Sequence, residues 1–305
     1  MMRNLDRKRD AILITGPTAS GKSALAVRLA AEHGGVVVNA DSMQVYDTLD
    51  VLTARPRPHD MAGIEHRLYG HVSAGAAYST GDWLREATAV VADLRARETL
   101  PVFVGGTGLY FRALTGGLSD MPVIPEAIRT HLRERLAEEG AEALHHALAA
   151  RDPQTAARLK PGDGQRIVRA LEVLEATGRS ISAFQAATGP AVIDAERAEK
   201  IVVLPDRAVL AARIDRRFSE MLASGAVAEV EALLALDLPP AMPVMKAIGV
   251  PQIAAMLAGT MSAAEVAERG AAATRQYAKR QMTWIRNQLD ESWRRIDPLA
   301  AGGTA

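Results

Sequence analysis

The residues best suited to chemistry stand in one turn, Gly16-Pro17-Thr18-Ala19-Ser20-Gly21-Lys22-Ser23. It fits G-x-x-x-x-G-K-[ST], a loop whose glycines let successive backbone N–H groups turn inward on phosphate oxygens. Lys22 adds a compact cation, and the Ser23 hydroxyl is a hard oxygen ligand of the kind Mg2+ takes. An apolar run, Ala11-Ile12-Leu13-Ile14-Thr15, precedes the turn, and a helical pattern follows it. Strand, glycine turn and helix together aim the free donors of a helix N-terminus at the same anion. The bland alternative is an ordinary strand-to-helix turn. The motif reads as a site for a phosphate chain and leaves open which phosphate compound it takes.

Further groups are placed to share that site. Val36-Val37-Val38-Asn39-Ala40 reads as a second buried strand and ends at Asp41-Ser42-Met43-Gln44. In a doubly wound sheet, ligands lie beyond the carboxyl ends of the strands, so Asp41 should face the crevice of the glycine turn. Its other reading is an Asx turn. A third run, Pro101-Val102-Phe103-Val104, ends in Gly105-Gly106-Thr107 where an ATP-hydrolysing enzyme often carries an acid. Glycines there allow close backbone approach, and Thr107 offers a hydroxyl. Asp206 is a good N-cap for a helix bearing Arg213, Arg216 and Arg217, which suits a phosphate cleft or a solvated face. Positions 275–289 carry Arg275, Lys279, Arg280 and Arg286 and no acid. Arg275, Lys279 and Arg286 fall on one face, beside Met282 and Leu289, and such a stripe suits RNA phosphates.

The elements that must hold these groups are readable in outline. Ser79-Thr80-Gly81-Asp82 starts a helix to about residue 97, with Trp83, Leu84, Ala87, Val90, Val91 and Leu94 as its inward stripe. Residues 68–72 read as a weak strand, and 200–204 as a return to strand. Pro122 and Pro125 open a charge-rich helical stretch to about 177, cut at Asp152-Pro153 and at 161–164 and closed by Gly189-Pro190. The expected fold is α/β, a doubly wound parallel sheet with an all-helical insertion. Residues 1–121 form the first part of the core, 122–196 the insertion, and 197–305 the second part. The chain has 305 residues, with 36 Lys+Arg against 36 Asp+Glu, so the basic stripe is hidden in a neutral total. The absence of cysteine excludes disulfides, thiol nucleophiles and Cys-rich zinc sites. No apolar run reaches the length of a membrane span, and the charged residues 1–10 lack the apolar core of a signal peptide. The expectation is a cytoplasmic protein with no membrane partner.

Together these segments resemble the IPP transferase family, the tRNA isopentenyltransferases of bacterial type. The resemblance is carried by 16–23, by Asp41-Ser42-x-Gln44-x-Tyr46, by Gly105-Gly106-Thr107-Gly108-Leu109-Tyr110, by 163–172, by 213–218 and by Arg275-Gln276-x-Ala278-Lys279-Arg280-Gln281-x-Thr283-Trp284. They occur in the family's order over nearly the whole chain. The glycine turn alone is widespread, whereas the other segments together are specific. Leu52, Arg55, Arg67 and Val250 depart from the family pattern.

The resemblance implies a P-loop NTPase-like sheet and transfer of a dimethylallyl group from dimethylallyl diphosphate to N6 of adenosine 37. The acceptors would be tRNAs reading codons that begin with U. It implies Asp41 as general base, Thr107 as a hydrogen-bonding residue of the reaction site, Arg217 on the diphosphate, and Mg2+ held at Ser23. It implies contacts to the tRNA anticodon stem-loop from Asp41, Ser42, Met43, Gln44, Thr107 and Arg129, and from Gln165, Arg166, Ile167, Val168 and Arg169. Met245, Lys246, Gly249, Arg275, Lys279 and Arg280 would complete that surface. Apart from the resemblance, the expected state is a monomer. Without the resemblance, the residues also admit a P-loop nucleoside or small-molecule kinase. The Gly-Gly-Thr strand end and the basic stripe disfavour that alternative.

Overall fold

The computed structural model describes residues 9–298, which leaves most of the charged N-terminal stretch and the Ala/Gly tail outside the description. Strands β1 (Ala11–Thr15), β2 (Val36–Asn39), β3 (His66–Arg67), β4 (Pro101–Gly105), β5 (Ala198–Val203) and β6 (Arg294–Ile296) form one parallel sheet in the order β3-β2-β4-β1-β5-β6. Helices α1 (Lys22–His33), α2 (Pro58–Met61), α3 (Thr80–Ala96) and α4 (Gly108–Gly116) belong to its first half. Helices α5 (Glu126–Arg151), α6 (Pro153–Ala156), α7 (Gly164–Thr177) and α8 (Ile181–Gln185) precede β5, and α9 (Arg207–Ala223), α10 (Ala226–Leu234), α11 (Val250–Leu257) and α12 (Ala263–Gln288) follow it.

The central strands are apolar at nearly every position because helices cover both faces of the sheet. Strand residues alternate between two layers. Leu13, Val38, Phe103 and Val202 pack with Trp83, Leu94 and Phe111 on one face. Ile12, Ile14, Val37, Val102 and Val104 pack with Leu25, Ala26 and Ala30 of α1 on the other. The expected strand at 68–72 is corrected. The extended residues are His66–Arg67, and Val72 makes only an isolated bridge to Tyr46. Leu68 has φ of 62°, which breaks the extended path directly after β3. β6 escapes sequence reading because it is a short, largely exposed, arginine-rich edge strand.

The chain divides into two compact units, one running to Thr115 and resuming at Val192, the other spanning Gly116–Ala191. These limits differ from 122–196 because hydrogen bonds, not the prolines, tie the ends. The Val192 and Ile193 amides both donate to the Leu114 carbonyl, at 2.9 and 3.0 Å, which fixes them to the sheet-bearing unit. Within the helical unit, Ser119 bridges Thr188, and the Gly189 amide donates to Leu118 at 3.0 Å. Its core sets Leu132, Leu144 and Leu148 of α5 against Ile167 and Leu171 of α7. Gly140, with φ of 82°, bends α5 in mid-course. Among the described residues, no helix is long and apolar enough to cross a membrane.

β2 and β4 approach each other closely at the end of β4. A Cβ on Gly105 would lie 2.0 Å from the Ala40 carbonyl oxygen and 2.7 Å from the Asp41 nitrogen. Backbone cannot retreat as a flexible side chain can. Gly105→Ala is therefore expected to destabilise the protein by about 1–3 kcal/mol, read as a lowered calorimetric midpoint. An unchanged midpoint would mean that β2 and β4 do not close in this way.

Candidate active site

Parallel pairing brings the chemistry-bearing turns to one edge. β2, β4 and β1 lie side by side, with Val104 opposite both Asn39 and Ile14. The chain therefore leaves these strands toward Gly16, Asp41 and Thr107 on the same side. In the glycine turn, Gly16 runs against β5, since a Cβ there would sit 2.5 Å from the Val203 carbonyl oxygen. Ala19 and Gly21 take φ of 62° and 91°, and Gly21 caps α1. Lys22 Nζ donates to the Pro17 carbonyl at 3.3 Å. The Ser20 hydroxyl is buried with no hydrogen-bond partner, an orphaned polar atom inside an anion-type turn.

Asp41 is held from three directions. Its N–H donates to Asn39 Oδ1 at 2.8 Å, and its carbonyl accepts from Asn39 Nδ2 at 2.9 Å. Its own Oδ1 accepts the Met43 N–H at 2.9 Å. Asn39 is fully buried and also donates to the Leu68 carbonyl, while Trp83 Nε1 donates to the Asn39 carbonyl at 2.9 Å. Trp83 is in turn stacked on Tyr110 at 4.0 Å. The Thr107 hydroxyl accepts the Ser42 N–H at 2.9 Å and donates to Ser42 Oγ at 3.3 Å. Thr107 thus fastens the residue beside Asp41. The Asx reading of Asp41 is realised through Met43, and Oδ2 is left facing the Gly106 turn, 3.6 Å from where a Gly106 Cβ would be.

Two cavities meet at this edge. One, of about 520 Å³, is lined by Ser20, Gly21, Lys22 and Ser23 and by Arg213, Arg216 and Arg217 of α9, with Arg55, Arg57, His59 and His66 opposite. The other, of about 300 Å³, is lined by Thr18, Asp41, Ser42, Met43, Leu52 and Thr53, and by Arg217, Phe218, Lys246, Tyr277 and Arg280. Ala19, Arg217 and Met221 belong to both. A cation-rich chamber and a more apolar one therefore adjoin at Arg217. Burial lowers the Lys22 ammonium to about 8, against the raising effect of the Asp41 carboxylate and with a further lowering from Arg217. Burial also lowers Arg217, again opposed by Asp41. Burial and the Asp41 charge raise the phenols of Tyr69, Tyr110 and Tyr277. One carboxylate and two cations thus act on one another where the chambers join.

Among the described residues, no group of three or more His, Asp and Glu side chains could hold a metal alone. Ser23, whose hydroxyl is a hard oxygen donor of the kind Mg2+ takes, lines the first cavity beside Lys22.

The residues implied for RNA contact fall into different environments. Ser42, Met43, Lys246 and Arg280 line the second cavity. Gln44 turns inward, its Nε2 donating to the carbonyls of Thr53 and Ala54 at 2.9 and 3.0 Å. Met245 packs against the main core, and Gly249 takes φ of 101° with Leu52 pressed against it. In the helical unit, Gln165 and Arg166 are exposed, but Ile167 and Val168 are core residues. Helical spacing sends their side chains inward with Leu171 and Leu174. Arg169 pairs with Glu172 at 3.1 Å, and Arg129 lies 3.7 Å from Glu126. The stripe on α12 is also reduced. Arg275 is engaged by Asp215 of α9, while Lys279, Arg280 and Arg286 are exposed. Met282 packs against Leu210 and Ile214, and Leu289 packs against the main core.

The departures from the family pattern are absorbed internally. Arg55 pairs with Asp50 and donates to the Tyr46 carbonyl at 2.7 Å. Arg67 pairs with Glu65 and Asp93, and Val250 is buried at the start of α11. Three polar residues matter to the site beyond the roles read from the sequence, although Gln281 stands in the Arg275–Trp284 motif. Asn39 clamps Asp41. Glu229 of α10 accepts the N–H groups of Asp50, Val51 and Leu52 at 2.8, 2.6 and 3.1 Å and so holds the wall of the second cavity. Gln281 of α12 bonds both the glycine turn and the Gly106 turn.

Comparison with known proteins identifies the family. The IPP transferase family model matches residues 44–288, and an isopentenyl transferase model matches 9–76. The tRNA dimethylallyltransferase of Rhizobium meliloti (strain 1021) is 72% identical over 303 residues, 99% of this chain and 100% of the relative. The crystal structure of the tRNA isopentenylpyrophosphate transferase of Bacillus halodurans is 32% identical, with a TM-score of 0.67 over 95% of this chain and 90% of that one. A eukaryotic dimethylallyltransferase caught acting on tRNA superposes with a TM-score of 0.79 at 26% identity, over 95% of this chain and 75% of that one. The chain belongs to the IPP transferase family and is an enzyme of the prenyltransferase class.

Proposed function

We propose that the protein transfers a dimethylallyl group from dimethylallyl diphosphate to N6 of adenosine 37 in tRNAs that read codons beginning with U. The observation that carries this reading is Arg217 lining both cavities, with Lys22 in the wall of the first and Asp41 in the wall of the second. A kinase would need the γ-phosphate of a nucleotide handled at this loop. A prenyl diphosphate needs only a cradle for two phosphates that leave together.

The chemistry follows from the residues. The exocyclic amine attacks C1 of the dimethylallyl group, the C1–O bond breaks, and diphosphate departs with the electron pair. The amine's proton passes to the Asp41 carboxylate as the C–N bond forms. The turn from Thr18 to Ser23 and the side chains of Lys22 and Arg217 meet the charge that grows on the leaving oxygen. The Ser23 hydroxyl would hold Mg2+, which would supply charge neutralisation to the leaving group. The second cavity, with Met43, Phe218 and Tyr277 beside Asp41, suits an adenine displaced from its stack. Exposed Lys279 and Arg280, and Gln165 and Arg166 of the helical unit, are suited to the phosphates of the anticodon stem-loop.

The direct test is incubation with labelled dimethylallyl diphosphate and unmodified tRNA, followed by nucleoside mass spectrometry. Label in N6-(dimethylallyl)adenosine at position 37 is expected. ATP turnover with a small acceptor and no tRNA product would overturn the reading. Lys279→Ala is expected to weaken tRNA binding and to reduce the slope of log K against log salt by about one, with dimethylallyl diphosphate binding unchanged. An unchanged slope would remove Lys279 from the RNA surface.

A further inference from the structure

Gln281 is a buried polar side chain in the middle of a helix otherwise marked by exposed cations. Its Oε1 accepts the Thr18 N–H at 2.9 Å, and its Nε2 donates to the Gly106 carbonyl at 3.1 Å. Thr18 lies in the glycine turn and lines the second cavity. Gly106 lies in the turn that delivers Thr107 to Ser42. One amide therefore spans the two loops that flank Asp41. The fit leaves no slack, because a Cβ on Gly106 would stand 2.1 Å from Gln281 Nε2. Few side chains can make this span. Glutamate has no donor, lysine and arginine have no acceptor, and asparagine is one methylene shorter.

We propose that Gln281 is a positioning residue for the transfer reaction, fixing the glycine turn and the Gly106-Thr107 turn at a set separation across Asp41. The inference rests on the reading of this site as a dimethylallyl transfer site. Gln281 acts through Thr18 and Gly106, not on the reacting atoms. Alignment of leaving group and base is sensitive to small displacements, so losing the brace should affect the donor side more than RNA binding.

The test compares wild type, Q281A and Q281E in steady-state transfer, in calorimetric binding of dimethylallyl diphosphate, and in thermal melting. Q281A leaves the Thr18 N–H and the Gly106 carbonyl without their partner. It is expected to weaken dimethylallyl diphosphate binding and lower kcat/KM for it by about tenfold, with KM for tRNA unchanged. Q281E keeps an acceptor for Thr18 and loses the donor to Gly106. It is expected to retain most of the donor affinity while kcat falls. A residue that only packs the helix would lower the melting midpoint and leave donor affinity and both KM values alone. That pattern in Q281A overturns the proposal. If Q281A does not fold, wild-type donor affinity and kcat in Q281E overturn it instead. Failure of the wild type to modify tRNA would overturn the reading of the site, while the calorimetric comparison would still decide the role of Gln281.

Discussion

Asp41→Ala is expected to lower dimethylallyl transfer by about 10²–10⁴-fold while tRNA still binds. The exocyclic amine of adenine has a delocalised lone pair and becomes a good nucleophile only as its proton is taken. Asp41 stands at the end of β2 with one carboxylate oxygen engaged by the Met43 N–H and the other facing the Gly106 turn. The Asn39 clamp and the Thr107–Ser42 bonds hold the turn without using the Asp41 side chain, so the substitution should remove the base and keep the loop. A second consequence follows from the local field. The Asp41 carboxylate raises the Lys22 ammonium against its burial, so removing it lowers Lys22 further and weakens donor binding near neutral pH. Single-turnover transfer measured alongside tRNA binding checks this. Turnover near the wild-type rate would end the assignment of Asp41 as base. Asp41→Asn separates the effects, because it can keep the Met43 bond while losing both charge and basicity.

The parts legible in the sequence share one property, that their meaning is local. The glycine turn declares itself because loop and flanking elements are contiguous. Asp41 and Thr107 are legible as ends of apolar runs, and parallel pairing then does the rest. What the sequence hides is pairing at a distance. The charge pattern of α12 draws attention to its cations and passes over Gln281, whose partners are 263 and 175 residues away. Glu229 looks like one more acid on an amphipathic helix until three amides from 50–52 converge on it. Arg275 counts as a free cation on a helical wheel, but Asp215, 60 residues earlier, takes it. Ile167 and Val168 are the converse case, since they stand in a motif read from the sequence and their side chains are buried. A contiguous motif marks a stretch of helix, and helical period decides which of its side chains face outward. The boundary of the helical unit moved for a related reason, since Val192 and Ile193 are tied to Leu114 by backbone bonds that leave no compositional trace.

Lys22→Ala is expected to cost about 10²–10³-fold in kcat/KM for dimethylallyl diphosphate, and the wild-type pH profile should show why. Burial holds the free-enzyme ammonium at about 8, well below an exposed lysine. Below that pH Lys22 is charged and attracts the diphosphate, and above it the charge is lost. kcat/KM, which reports the free enzyme, should therefore fall as pH rises through about 8. A bound diphosphate favours the ammonium, so the corresponding break in kcat belongs at higher pH. The order of the two breaks distinguishes a lysine that meets the substrate's charge from one that only closes the turn through Pro17. Lys22→Ala should abolish the lysine-dependent fall along with most of the activity, whereas Lys22→Arg, charged throughout, should flatten the profile without restoring the full rate. A wild-type profile of kcat/KM that stays level from pH 7 to pH 9.5 would show that the charge on Lys22 takes no part in binding the donor. Arg217 would then be the main cation of the diphosphate site.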